Sequence, residues 1–225
     1  MPLIVLEGLD GAGKTTQTEL LKERLESRGF RYEYLHFPRF DAPVYGGLIA
    51  RFLRGELGGI DAVDPYLVAL LFAGDRADAA AMIRKWLARG KYVLLDRYVN
   101  SNIAYQCAKV EGGEAREMLR RWILDLEYGH NAIPRPDVSL VSGRAVPLYR
   151  AQPHRTTPRR DRGYLGGADD IHEASLAFQR RVREIYLGLA EEGELEVVDC
   201  RDEKGDMCPP QRVFARITEK MEGIL

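Results

Sequence analysis

The chain has 225 residues, 45% of them hydrophobic, with 22 Gly and 11 Pro, so it can bury one substantial core without disulfides or a structural metal. Its 33 basic residues nearly balance 34 acidic ones, a formal net charge of −1, which excludes a global field for polyanions or membrane surfaces and leaves any phosphate recognition to local clusters. Cys107, Cys200 and Cys208 are odd in number and lack zinc spacing, pointing to reduced packing thiols in a cytoplasmic protein, while His36, His130, His154 and His172 lack metal-ligand spacing and read as surface or hydrogen-bonded.

Pro2 to Glu7 is a short β-rich run, its apolar stretch of about four residues too short for a signal peptide or a membrane span. Gly13 to Arg28 carries Leu20, Leu21 and Leu25 at helical spacing and stops at Gly29. Arg31 to His36 reads as a second strand, followed by the Phe37-Pro38-Arg39 turn and a helical stretch over Val44 to Leu53. Asp64-Pro65 opens a long helical segment, with room for a kink, that reaches Leu87 before Gly90. Tyr92 to Leu95, closed by Asp96, has the continuous apolar character of a central parallel strand. Helical patterns follow over Val99 to Lys109 and Gly113 to Tyr128, then a strand over Val138 to Val141, a helix over Ile171 to Glu191, a strand over Leu195 to Val198 and a last helix opened by Pro209-Pro210. The alternation predicts an α/β fold: a central parallel sheet covered by helices on both faces, its binding crevice at the strand C-terminal ends. With no repeat or linker, residues 1–225 read as one domain.

Gly8-Leu9-Asp10-Gly11-Ala12-Gly13-Lys14-Thr15 fits G-x-x-x-x-G-K-[ST] and lies between a predicted strand and a predicted helix. Glycines let the backbone close around phosphate oxygens and N–H groups at the helix start donate to them. Lys14 reaches the β- and γ-phosphates, and Thr15 offers a hydroxyl to Mg²⁺. Thr16 continues the cradle with Ala12 and Gly13. No Asn-Lys-x-Asp guanine-reading sequence accompanies the loop, which favours a kinase over a GTPase-like switch.

The segment Leu94 to Gln106 places a carboxylate, a cation and aromatics where a strand meets the crevice. Together with Gly8 to Gln17, Phe37-Pro38-Arg39 and Leu70 to Arg76, it resembles the thymidylate kinase family, P-loop nucleoside monophosphate kinases, over residues 3 to 142 and 171 to 190. The resemblance implies transfer of the ATP γ-phosphate to dTMP, Mg²⁺ held near Thr15 and Asp96, and a homodimer. It implies that Phe72 stacks on the thymine, that Arg76 hydrogen-bonds its edge, and that Asn102 and Gln106 are further edge partners. Arg39 and Arg97 would hold the acceptor phosphate, planar guanidinium forks being suited to bidentate contact. Phe37 and Tyr98 would line the acceptor site, Asp10 would face the sugar and Tyr105 would crowd its 2′ position.

Between Arg144 and Arg162 lies a basic stretch with Arg150, Arg155, Arg159 and Arg160, where the family carries a mobile lid, here about 143–172. Gly11 stands where some members place an arginine, so a transition-state cation would come from the lid, with Arg150 and Arg162 the candidates beside Lys14, Asp96 and Arg97. The chain departs from the family at Pro136 to Gly143, which lacks an Asp after the apolar pair, and in an apparent insertion over Gly163 to Asp170. Alternatives at this point are a related nucleotide or deoxynucleoside kinase and a non-catalytic ATP-binding module.

Overall fold

The computed structural model describes residues 1–142, 163–166, 170–172 and 175–225, so most of the segment expected as a lid lies outside the described residues. Strands β1 (Leu3–Glu7), β2 (Tyr32–His36), β3 (Tyr92–Asp96), β4 (Val138–Ser142) and β5 (Glu196–Val198) form one sheet in the order β2-β3-β1-β4-β5. Every pairing is parallel. The helices among the described residues are α1 (Lys14–Ser27), α2 (Tyr45–Leu53), α3 (Pro65–Ala88), α4 (Val99–Cys107), α5 (Gly113–Leu124), α6 (Leu176–Glu191) and α7 (Pro210–Lys220).

The unbroken apolar strands have the physical reason expected of them. Alternate side chains of a strand leave opposite faces, and here both faces are covered. Leu3 and Val5 of β1 and Val93 and Leu95 of β3 join a core with residues of α3, α4, α5 and α6. Ile4, Leu6 and Leu94 join a second core with Leu21 and Leu25 of α1 and Val213 and Ile217 of α7. The three-layer α/β/α architecture anticipated from the strand and helix alternation is the observed one. A third, smaller cluster of Ile49, Phe52, Leu53 and Val68 seats α2 on α3.

Asp64 caps α3 by accepting from Tyr66 N at 2.8 Å, Pro65 occupies the first turn, and the helix runs 24 residues. Two boundaries differ from the sequence reading by more than two residues. The helix expected from Ile171 begins at Leu176, because the Ser175 hydroxyl accepts from Phe178 N at 3.2 Å and fixes the start there. The helix expected to run to Tyr128 ends at Leu124 and gives way to a π-helical turn over Asp125–His130. Among the described residues no helix is long and apolar enough to cross a membrane.

Candidate active site

The loop after β1 is built on left-handed glycines. Gly8, Gly11 and Gly13 have φ of 128°, 74° and 85°, a region that other L-residues reach only at a cost. Gly13 caps α1 directly, so the helix N-terminus, with its unpaired N–H groups, opens into the loop. Lys14 Nζ donates to the carbonyls of Gly8 and Leu9, each at 3.0 Å, and so lies inside the loop it belongs to. Burial lowers the Lys14 pKa, with the nearby Arg97 charge adding to it and Asp10, Asp96 and Glu7 opposing. Thr15 and Thr16 are exposed on the first turn.

A second group of side chains grows from the adjacent strands. β3 pairs with β1 so that Asp96 lies beside Leu6, and Phe37 N, just past β2, donates to the Asp96 carbonyl at 3.0 Å. Three loops therefore leave the C-terminal ends of neighbouring strands side by side. Arg97 takes a left-handed backbone, φ 67°, a conformation costing roughly 1 to 3 kcal/mol in a residue with a Cβ. Its N–H donates to Leu6 O at 2.9 Å, and Nη2 donates to Asp10 Oδ2 at 2.9 Å. Tyr105 Oη lies 3.5 Å from the same oxygen, and the Arg97 guanidinium stands 5.3 Å from the centre of the Tyr105 ring. Asp10, Arg97 and Tyr105, separate in the sequence, thus form one constellation.

Arg39 is held by α3. Its backbone N and Nε donate to the two Asp75 carboxylate oxygens at 2.9 and 2.8 Å, and Nη2 donates to Asp75 O and to Asp78. Phe72 is half-buried at the edge of the α2–α3 cluster, edge-on to Phe52 at 6.5 Å. Arg76 is buried, and its Nε donates to both Glu127 oxygens at 2.9 and 3.1 Å. Asn102 Nδ2 donates to Ala69 O at 3.0 Å and to Glu127 Oε1 at 3.1 Å, and Gln106 Nε2 donates to Asn102 Oδ1 at 3.4 Å.

The structure corrects some expectations. Phe37 and Tyr98 are each 1% exposed and pack together with ring centres 5.9 Å apart. Tyr98 Oη donates to Pro134 O at 2.9 Å. Both rings therefore stand in the core, as Arg76, Asn102 and Gln106 also do at 2%, 3% and 1% exposed. His172, expected at the surface or hydrogen-bonded, is buried against Phe52, Tyr105 and Phe178, and its Nε2 has no partner among the described residues. Burial, with Lys109 next, drives its pKa well below the ordinary value, so the ring is neutral. Arg150 and Arg162, with Arg155, Arg159 and Arg160, lie outside the described residues.

Two carboxylates escaped the sequence reading. Glu7 ends β1 fully buried and accepts from Tyr98 N at 2.9 Å, Ser101 N at 3.2 Å, Ser101 Oγ and Tyr186 Oη. It ties β1 to the start of α4 and so braces the strained Arg97 turn. Glu127 collects Arg76 and Asn102 from the π-helical turn. The only signal for Glu7 was a charge at the end of an apolar strand, and for Glu127 a charge inside an apparent helix.

Asp96 offers the test for a metal. It is 5% exposed, and its Oδ1 is buried without a hydrogen-bond partner among the described residues, which suits an oxygen-ligated cation. Among the described residues no group of three or more His, Cys, Asp or Glu could hold a metal.

A family model described as thymidylate kinase matches residues 6–207. The thymidylate kinase of Mycobacterium tuberculosis is 35% identical over 192 residues, 85% of this chain and 86% of that protein. A probable thymidylate kinase of Thermococcus kodakarensis is 37% identical over 193 residues, 84% of this chain and 83% of that protein. The solved structure of a thymidylate kinase from Candida albicans superposes with a TM-score of 0.70 at 24% identity, covering 99% of this chain and 91% of that one.

Proposed function

The chain belongs to the thymidylate kinase family, and from that premise we propose that it transfers the γ-phosphate of ATP to dTMP, giving dTDP and ADP. The observation that carries this reading is the meeting of two chemistries at one sheet edge. The phosphate cradle leaves β1, and the arginine that pairs with Asp10 leaves the adjacent β3.

Transfer is in-line, and the acceptor phosphate is already an anion, so it needs alignment and charge neutralisation more than a strong base. Gly8 to Thr16 bind the ATP phosphates through backbone N–H groups. Lys14 exchanges the Gly8 and Leu9 carbonyls for phosphate oxygens. Arg39 and Arg97 hold the dTMP phosphate, their geometry set beforehand by Asp75 and Asp10. Asp10 and Tyr105 meet the sugar, Phe72 stacks on the base at about 1 to 3 kcal/mol, and Arg76, Asn102 and Gln106 read its edge. Thr15 and Asp96 would hold Mg²⁺, which when bound offsets charge on the phosphates. The lid over about 143–172 supplies further cations, with Arg150 and Arg162 the candidates.

We read residues 1–225 as one kinase domain, cytoplasmic in keeping with three buried free thiols, and homodimeric. A coupled assay of ADP release with ATP and Mg²⁺ over dTMP, dUMP, dCMP and thymidine tests the assignment. The expected result is fastest turnover with dTMP; ADP release indifferent to every acceptor would leave only an ATP-binding module.

A further inference from the structure

We infer that Glu127 is a positioning residue that fixes the hydrogen-bonding polarity of the base-reading edge. It matches the edge to a keto pyrimidine, whose ring N–H donates and whose 4-oxygen accepts, and sets it against an amino pyrimidine. The inference rests on the reading above that Arg76, Asn102 and Gln106 meet the base.

Glu127 is 0% exposed and can only accept. Arg76 Nε donates to both of its oxygens, and Nη2 donates to Oε1 as well. The guanidinium is thereby locked in its plane, and Nη1 is the nitrogen that takes no part in this pairing. That is a donor.

The second consequence concerns an amide. The Asn102 side-chain atom facing Glu127 lies 3.1 Å from Oε1 and 3.0 Å from Ala69 O. Both neighbours accept only, so this atom must be Nδ2; the opposite orientation would press an oxygen against a carboxylate and a carbonyl. Asn102 Oδ1 is therefore turned away from Glu127, where it accepts from Gln106 Nε2 at 3.4 Å. Gln106 follows Asn102 by one helical turn on the same face of α4. With its nitrogen committed, its Oε1 remains, buried and without a partner among the described residues. That is an acceptor, desolvated and unmet.

A carboxylate on the π-helical turn thus acts through two amides to leave an acceptor on α4, and directly to hold a donor on α3. Thymine and uracil present N3–H and O4, which satisfy both. Cytosine presents N3 and an N4 amino group, which oppose both. Buried groups left unpaired by the wrong substrate are what make this kind of discrimination large.

The test compares kcat/KM for dTMP, dUMP and dCMP in the wild type and in Glu127→Gln. Glutamine can donate as well as accept, so Asn102 can turn over and reverse the edge. The wild type should favour dTMP over dCMP by at least about 100-fold. The variant should cut that ratio at least tenfold, while the dTMP to dUMP ratio, which depends on a methyl group and not on the edge, stays within threefold. Equal losses on dTMP and dCMP would mean that Glu127 merely holds helices together, and would overturn the inference. If the variant melts before it can be assayed, the wild type is given N3-methyl-dTMP, which lacks the ring N–H. A loss of about 100-fold is expected, and turnover near that of dTMP overturns the inference. Absence of dTMP-dependent ADP release in the wild type would instead overturn the kinase assignment itself.

Discussion

Lys14 combines a flexible cation with a loop that already satisfies it, and this sets the scale of its effect. Its ammonium is buried against two carbonyls, so it is positioned before nucleotide arrives and loses little freedom on binding. Lys14→Ala should lower kcat by roughly 100-fold or more, as loss of a preorganised donor does, with KM for dTMP little changed; a steady-state comparison checks it. Lys109 makes a different prediction. Its Nζ has no hydrogen-bond partner among the described residues and sits 4.9 Å from the centre of the Phe52 ring. Burial lowers its pKa from an ordinary 10.5 to about 7, with Asp61 opposing. Unfolded Lys109 holds its proton up to about pH 10.5, and the folded residue holds it only below about 7. Between those values the unfolded state binds more protons, so stability rises with pH, and below pH 7 the penalty is complete. Lys109→Met should raise Tm by at least about 3 °C at pH 6, and the gain should shrink by more than half at pH 10 in melts followed by circular dichroism. Single residues stood out in the sequence where their own chemistry and motif singled them out, as with Lys14, Arg39 and Arg97. Roles that depend on a distant partner were not: Glu127 meets Arg76 across 51 positions and Asp75 meets Arg39 across 36.

The elements that carry these residues are joined through small clearances. Gly46, at the start of α2, has no room for a methyl group: a Cβ there would lie 2.3 Å from Phe40 O and 2.4 Å from Arg39 O. The obstacle is backbone, and it is the backbone of the loop that bears Arg39, the residue to which we assign the acceptor phosphate. Gly46→Ala should therefore displace that loop, raising KM for dTMP at least tenfold and lowering Tm, with KM for ATP nearly unchanged; a kinetic effect equal on both substrates would contradict it. Strands and long helices were readable because two-sided burial leaves unbroken apolar runs and because Asp64-Pro65 is a strong start signal. The π-helical turn was not, since its composition continues the pattern of α5 and only the backbone reveals the change. The true start of α6 at Ser175 was masked in the same way by helix-compatible residues before it.

For the whole molecule, the helices α2 and α3 also present exposed apolar side chains. Val44 and Leu48 on and before α2, and Leu67 and Leu70 on α3, are 74%, 41%, 62% and 48% exposed, on two helices packed together. Exposed apolar side chains on two adjoining helices are where we place the proposed dimer contact. The chain of 25.5 kDa should elute as a dimer in light-scattering chromatography, and Leu70→Glu should shift it to monomer. A monomeric wild type at micromolar concentration would refute the dimer.

The parallel register of β1 and β3 has a consequence for how such an enzyme can change. Leu6 faces Asp96 across main-chain hydrogen bonds, and the phosphate cradle and Arg97 depart from the next residues. A slip of two residues would move one against the other by about 6.6 Å, so the sheet acts as a ruler for the gap that the phosphoryl group crosses. The side chains to which we assign the choice of acceptor sit elsewhere, on α3, α4 and the π-helical turn. Reach and taste are therefore separable traits: a redesign of the base pocket can seek a new acceptor while the transfer distance stays calibrated by the backbone.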